Sequence, residues 1–356
     1  MFPEIDGSIL EGGGQILRIA VCLSALYNKP ITIQKIRANR KKNGLAPQHL
    51  AGIHLARDLS QAFLINDFLR STELTFIPKL IRSGTFVADT QTGGSVALLL
   101  QVSLPLILFG NDKSHLTLKG GTNTDFAPPI DYTINVFKPM VQKFGIDFEC
   151  EINRRGFIRG NGSITVSTNP VKKLNRIILV EFGELESITG EAYVSGFLPY
   201  RMAEEMATAA ERVLKRVLKA TVSIKAKKFN KSEAFGNGSG INLYAKTSAG
   251  CHLGSSVLGK RGVSATEIGT KAAKALMETI FLEYCVDSCM QDQLIIYMAL
   301  AEGRSRVKMG PITLHTETAI HVTELLTGVK FDIYKLDDTT NIIECFGIGF
   351  QNKNII

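Results

Sequence analysis

Glu11-Gly12-Gly13-Gly14-Gln15-Ile16-Leu17-Arg18 opens the most informative part of the chain. Three glycines in a row lead into an apolar helical pattern over 15–27, and a strand pattern follows over 31–36. Beyond it a charged loop leads to an amphipathic helix over 47–63 and to strands near 73–77 and 85–89. The same order then starts again, with a helix over 95–109, a strand at 116–118, a helix over 128–144, and strands near 147–152 and 163–166. A third round closes the chain: helix 291–301, strand 305–308, helix 316–326, and strands near 331–334 and 341–345. Such recurrence is the mark of one supersecondary unit used several times.

The third round is displaced by a segment of different order, roughly 176–287. It reads as a strand at 187–194, a long helix over 199–218, strands at 221–226, 241–247 and 252–257, and a helix over 265–281. The Asn-, Gly- and Ser-rich stretch 229–240 reads as a loop. The predicted fold class is α/β. Three repeated βα units, each with two helices on a four-stranded sheet, form a large domain of residues 1–175 and 288–356. A smaller α/β domain, 176–287, is inserted.

Composition sets the outer bounds. Of 356 residues, 45% are hydrophobic and 21% charged, the balance of a globular protein with a large core. The most apolar run, 96–109, is too short for a membrane span and carries Gln101, so no membrane partner is expected. Met1-Phe2-Pro3-Glu4 has no basic n-region, which points to a protein kept inside the cell. The cysteines form no CxxC pair and the histidines no HxxxH pair, so buried reduced thiols are expected and a zinc site is not. The net charge of +8, with Lys and Arg gathered in 37–42, 215–231 and 260–261, suits an anionic backbone such as nucleic acid.

Candidate chemistry gathers at turns. In 310–321 a Gly-Pro turn precedes Thr313-Leu314-His315-Thr316, and Thr313 or Thr316 can cap the helix that follows. His315 then sits at or near a helix N-terminus, which favours neutral imidazole and offers N–H donors to an anion. A neutral imidazole beside bound phosphate can attack phosphorus; the bland alternative is a surface histidine near a helix start. His321, farther along, is expected to pack or hydrogen-bond. The glycine turn can bring N–H groups to an anion, or serve only as a tight turn, and it lacks the GK[ST] of a P-loop. Glu11 beside it would repel a bare phosphate and makes more sense as a ligand of a divalent metal that phosphate also touches. Arg37 and Arg40, in the loop before Pro47-Gln48-His49, suit bidentate phosphate contact or a solvated surface.

Several separated motifs occur in a fixed order: Asp6-Gly7-Ser8 through Gln15-Ile16-Leu17-Arg18, Gln34-Lys35-Ile36-Arg37-Ala38, Pro47-Gln48-His49-Leu50, Lys119-Gly120-Gly121-Thr122-Asn123, Ala234-Phe235-Gly236-Asn237-Gly238, Gln291-Asp292-Gln293-Leu294 and the His315 stretch. Together they resemble the RNA 3′-terminal phosphate cyclase family, most closely its eukaryotic branch, over nearly the whole chain. The resemblance implies three βα units plus an inserted domain. It also implies ATP-dependent conversion of an RNA 3′-phosphate to a 2′,3′-cyclic phosphate. By matching position, His315 is the residue that accepts AMP, and Gln101, Pro128, Cys289, Asp292 and Gln293 contact the nucleotide. Glu11 is the implied ligand of Mg2+ or Mn2+, and Arg18, Arg37, Arg40, Gln48 and His49 face phosphate or RNA. Two positions depart from the family pattern: Cys289 stands where the family has Tyr, and Gly160-Asn161-Gly162 lacks its usual preceding Pro.

The implied partner is RNA with a 3′-phosphate end, and the implied residence is the nucleus, with the cytoplasm as a second compartment. The sequence does not indicate an oligomeric state. The alternative is a non-catalytic ribosome-assembly protein of the same fold, a branch that lacks the reactive histidine; His315 argues against it. Enolpyruvyl-transfer enzymes share the architecture by analogy only. The repeats add a geometric expectation. Second helices starting at Pro47-Gln48-His49, at Pro128 and just after His315 should point into one cleft, bordered by Glu11, Gln101 and Gln293.

Overall fold

The first unit begins one strand earlier than its helix pattern. In the computed structural model, which describes residues 2–355, β1 (Glu4–Asp6) precedes the glycine turn and α1 (Gly14–Tyr27) follows it. α1 has no internal breaker, and it stops where Asn28 takes a left-handed conformation (φ 50°) and returns its N–H to the helix. β2 (Ile31–Gln34), α2 (Pro47–Ser60), β3 (Phe63–Ile65) and β4 (Leu74–Ile77) complete the unit. α2 is shorter than expected because Gln61, also left-handed (φ 50°), ends it and releases 63–65 to a strand.

The second unit contains β5 (Thr85–Asp89), α3 (Val96–Leu108), β6 (Ser114–Gly120), α4 (Ile130–Tyr132), α5 (Lys138–Gln142), β7 (Glu149–Gly156) and β8 (Gly162–Thr168). β5, read from sequence as the end of the first unit, pairs in parallel with β6 and so opens the second. Two further corrections fall on the helix read over 128–144. It begins at Ile130, with Pro129 as its cap, and a π-turn over Thr133–Phe137 interrupts it. Pro139 explains the interruption: it has no N–H for the carbonyl of Asn135, and its ring crowds that carbonyl, so the preceding turn widens.

β9 (Ile178–Leu179) comes next. Then β10 (Leu185–Ser195), α6 (Tyr200–Val217), β11 (Thr221–Phe229), β12 (Ala234–Phe235), β13 (Gly238–Thr247), β14 (His252–Leu258) and α7 (Ala265–Phe281) follow. The chain closes with α8 (Gln291–Leu300), β15 (Glu302–Met309), α9 (Leu314–Thr327), β16 (Phe331–Lys335) and β17 (Asn341–Ile348). The expected loop 229–240 therefore contains the short strand β12 and the first residues of β13.

The strand order is the same in three sheets. The first runs β1-β2-β4-β3, the second β5-β6-β8-β7 with β12 added beside β7, and the third β9-β15-β17-β16. In each, the first two strands are parallel and the next two pairings antiparallel, while the added β12 runs parallel to β7. β9 is thus the first strand of the third sheet, parted from β15 by the fourth sheet, β11-β10-β13-β14. Alternation along β8, buried at every second residue, shows how each strand presents one face inward. α1 packs on α2, α3 and α9, and α8 packs on α9, so helices of different units share one core. No helix among the described residues is long and apolar enough to cross a membrane.

Candidate active site

The glycine turn and the start of α9 meet. Gly12 adopts φ 58°, open to glycine at little cost, and Gly13 caps α1 with no side-chain bond to the first-turn N–H groups. The Glu11 N–H donates to Thr318 Oγ1 at 3.1 Å, one turn into α9. Thr313 is the cap of α9, accepting from the Thr316 N–H at 3.1 Å, so His315 lies within the first turn of the helix rather than before it. The Gln291 side-chain Oε1 fixes this turn from α8: it accepts from Thr316 Oγ1 at 3.1 Å and from the Thr313 N–H at 3.3 Å.

A relay then crosses the cleft. His315 Nδ1 donates to Gln15 Oε1 at 2.6 Å, and Gln15 Nε2 donates to Asp292 Oδ2 at 2.7 Å. A carboxylate only accepts, so Gln15 turns its amide nitrogen to Asp292 and its oxygen to His315. That oxygen requires a proton on Nδ1, so in the neutral form of the exposed imidazole the lone pair lies on Nε2. Burial pushes Asp292 up to about 6, against the pull of Arg18 and His315.

Asp292, Gln293 and Gln101 line a cleft of about 430 Å³ together with Gln15, Arg18 and Phe137. An adjoining hollow of about 310 Å³ is lined by Gly14, Arg18, Gln48 and His49, and Arg18 belongs to both. Gly14 is needed here because a Cβ would stand 2.5 Å from His49 Nε2. His49 Nδ1 accepts from the Ala46 N–H at 3.1 Å, which leaves Nε2–H as a donor toward Gly14. Burial, then Arg37 and Arg18, push His49 down to about 3, so it stays neutral at neutral pH. Burial also lowers Arg18, with Asp292 and Glu11 acting the other way. Gln48 reaches the glycine turn of the second unit, accepting from the Ser95 N–H at 2.8 Å.

Glu11 carries the remaining charge. Its carboxylate pairs with Arg40, which also donates to the Glu11 carbonyl at 2.7 Å, and Oε2 is buried without a partner. Arg37 donates to the Gly44 carbonyl at 2.9 Å. The arrangement therefore places a free imidazole nitrogen, several cations, one neutral donor and an unfilled carboxylate oxygen around two joined hollows. Such a set can bind a polyphosphate and receive a phosphoryl group.

Of the expected residues, His315, Glu11, Arg18, Arg40, Gln48, His49, Gln101, Asp292 and Gln293 are joined by these contacts or linings. Arg37 acts on His49 through its charge. Cys289 is exposed, and its carbonyl accepts from Gln293 Nε2 at 2.6 Å. Pro128 lies in the loop before α4, half-buried, and none of these contacts includes it. His321 is exposed on α9, six positions past His315 and so on another face. Gln15, Gln291 and Thr318 were missed. Gln15 closes the glycine turn and Gln291 adjoins Asp292, which were the available signals; Thr318 offered none.

Over residues 9–333 the chain matches the family described as RNA 3′-terminal phosphate cyclase. A protein named RNA 3′-terminal phosphate cyclase from Drosophila melanogaster is 42% identical over 99% of this chain and 98% of its own length. One named probable RNA 3′-terminal phosphate cyclase from Dictyostelium discoideum is also 42% identical, over 98% of this chain and 83% of its own. An RNA 3′-terminal phosphate cyclase from Pyrobaculum aerophilum is 38% identical over 99% of this chain and 100% of its own.

Proposed function

This chain belongs to the RNA 3′-terminal phosphate cyclase family, and we propose that it converts an RNA 3′-phosphate to a 2′,3′-cyclic phosphate at the expense of ATP, through His315. The observation that carries the assignment to His315 is its hydrogen bond to Gln15, which selects the neutral tautomer with its lone pair on Nε2, at the head of a helix. In the first step Nε2 attacks the α-phosphorus of ATP; an N–P bond forms and pyrophosphate leaves. A 3′-phosphate oxygen of the RNA then attacks that phosphorus, the N–P bond breaks, and the RNA end carries an anhydride to AMP. Finally the neighbouring 2′-hydroxyl loses its proton and attacks the 3′-phosphorus, and AMP leaves. Activation is required because a phosphate oxygen is a poor leaving group, and the ribose holds the nucleophile in place.

Gln101, Asp292 and Gln293 line the cleft assigned to the nucleotide, and Cys289, just before α8, and Pro128, in the loop before α4, are assigned to it by the family pattern. Arg18, Arg37, Arg40, Gln48 and neutral His49 are assigned to phosphates and the RNA end. No group of three or more His, Cys, Asp or Glu able to hold a metal occurs among the described residues. A Mg2+ or Mn2+ ion would therefore rest on Glu11, whose Oε2 is free, with phosphate and water oxygens completing its shell. Bound there, it would neutralise phosphate charge. Nuclear residence is part of this proposal and is checked by imaging the tagged chain.

Incubation with α-labelled ATP and metal tests the reading. The wild type should gain covalent AMP and give RNA ends resistant to phosphatase, and His315→Asn should do neither while folding normally. Absence of any adduct, or an adduct mapped to His321, would overturn it.

A further inference from the structure

Among the described residues, the two most exposed aromatic side chains lie on neighbouring loops. Phe126 is 102% exposed, Phe197 94% and the neighbouring aliphatic Ile158 77%. Phe126 also holds φ 63°, a conformation that a bulky side chain rarely adopts, and its ring gains no core contact in return. The three residues come from different segments that the contacts draw together. Asp125, beside Phe126, lies 3.8 Å from Lys260, and the adjacent Gly259 N–H donates to Ser239 at 2.8 Å. The Phe197 N–H donates to Asn237 Oδ1 at 3.0 Å, in the turn just before β13. Phe157, which precedes Ile158, lies against Gly238 in the same turn. Arg159, Lys260 and Arg261 are exposed among these loops.

These loops continue into the site already described. The glycine turn of the second unit spans both. Gly93 backs onto the Ile158 carbonyl, and Gly94 rests on the side chain of Gln48. Gln48 and His49 line the hollow next to Arg18. An RNA whose 3′ end reaches His315 can thus run past the Gly93-Gly94 turn and onto the Phe126, Ile158 and Phe197 loops.

Resting on the cyclase reading above, we infer that Phe126, Phe197 and Ile158, with Arg159, Lys260 and Arg261, form a platform for the single-stranded nucleotides upstream of the RNA 3′ end. Every base has a π-face, so exposed rings stack bases without reading sequence, while cations follow the phosphates. Charge complementarity and continuity with the cleft select RNA as the occupant.

The test compares binding of 3′-phosphorylated RNAs of about two and about twelve nucleotides, lengths that fall short of and span such a platform. Wild type should bind the longer RNA about tenfold more tightly. The Phe126→Ala/Phe197→Ala variant should lose that advantage, yet keep its affinity for the short RNA and its labelling by ATP. Arg159→Ala, Lys260→Ala and Arg261→Ala should each flatten the dependence of log K on log salt by about 0.7. Equal wild-type affinity for both lengths, or an unchanged length advantage in the double variant, overturns the platform; the latter would hand this surface to a protein partner. If wild type neither binds nor cyclises RNA of either length, the cyclase reading itself fails.

Discussion

Gln15 decides which nitrogen of His315 is free. Its two hydrogen bonds, 2.6 Å to His315 and 2.7 Å to Asp292, hold one tautomer without placing a full charge against the imidazole. Gln15→Leu keeps the volume and removes both bonds. On the proposed mechanism it should slow adenylylation by about 10²-fold or more, and nitrogen NMR of His315 should show mixed tautomers. An unchanged rate with an unchanged tautomer would remove Gln15 from the mechanism. Asp292, pushed up to about 6, must be ionised to accept fully from Gln15, so adenylylation should fall as pH drops through about 6, and Asp292→Asn should flatten that limb. For stability the sign runs the other way. The folded state binds this proton more tightly than the unfolded chain, so the Asp292 contribution falls as pH rises from about 4 to about 6. His49 opposes it. Its value drops from 6.5 to about 3, so its contribution is present above 6.5 and is lost as pH falls toward 3. His49→Gln can keep the bond to Ala46 but cannot titrate; the signed slope of its stability against pH between about 4 and about 6.5 should be less positive than that of wild type, and equal slopes would refute the burial of a neutral His49.

At the scale of elements, the head of α9 is the sensitive part. Thr313 caps it and Gln291 ties the cap to α8. Thr313→Ala should cost about 1 kcal/mol in urea unfolding and slow labelling of His315, since the same turn aims the imidazole. A stability loss with full labelling would separate the cap from the chemistry. The long helices and most strands of the core were legible because period and burial agree; the helix read over 265–281 is Ala265–Phe281 in the structure. The failures have physical causes. Two-residue strands such as β9 and β12 are too short to alternate. Left-handed Gln61 ends α2 without the glycine that usually marks such a stop. The π-turn follows from Pro139 acting four residues upstream. In the site, His315, Glu11 and the arginines were legible from charge at turns and from resemblance. The partnership of Gln15 with His315 joins residues 300 positions apart, and no local pattern encodes it.

The whole molecule is three sheets of one strand order, with a fourth between the first and second strands of the third copy. The division into a large domain and an insert over 176–287 is proposed on that order, although Ile178 and Leu179 pair with β15 of the third sheet. If the fourth sheet is an insert, it needs an anchor. A buried polar cluster lies where β7 of the second sheet meets β10 and β11 of the fourth. Arg155 donates two bonds of 2.6 Å to Asp131, and its guanidinium lies 4.4 Å from the centre of the Phe229 ring. Asn123 links Asp131 to the Tyr193 hydroxyl at 3.2 and 3.1 Å. Both charged side chains are only 11% exposed, so neither can regain water if the other is removed. Arg155→Met leaves Asp131 buried and unpaired, and should cost about 3–5 kcal/mol in denaturant unfolding. Arg155→Met with Asp131→Leu removes both charges and should recover much of that loss, because the desolvation cost disappears with them. If the cluster anchors the fourth sheet, the single variant should also expose residues 185–281 to protease before the rest of the chain. A single variant that unfolds within about 1 kcal/mol of wild type would show that apolar packing alone holds the two parts together.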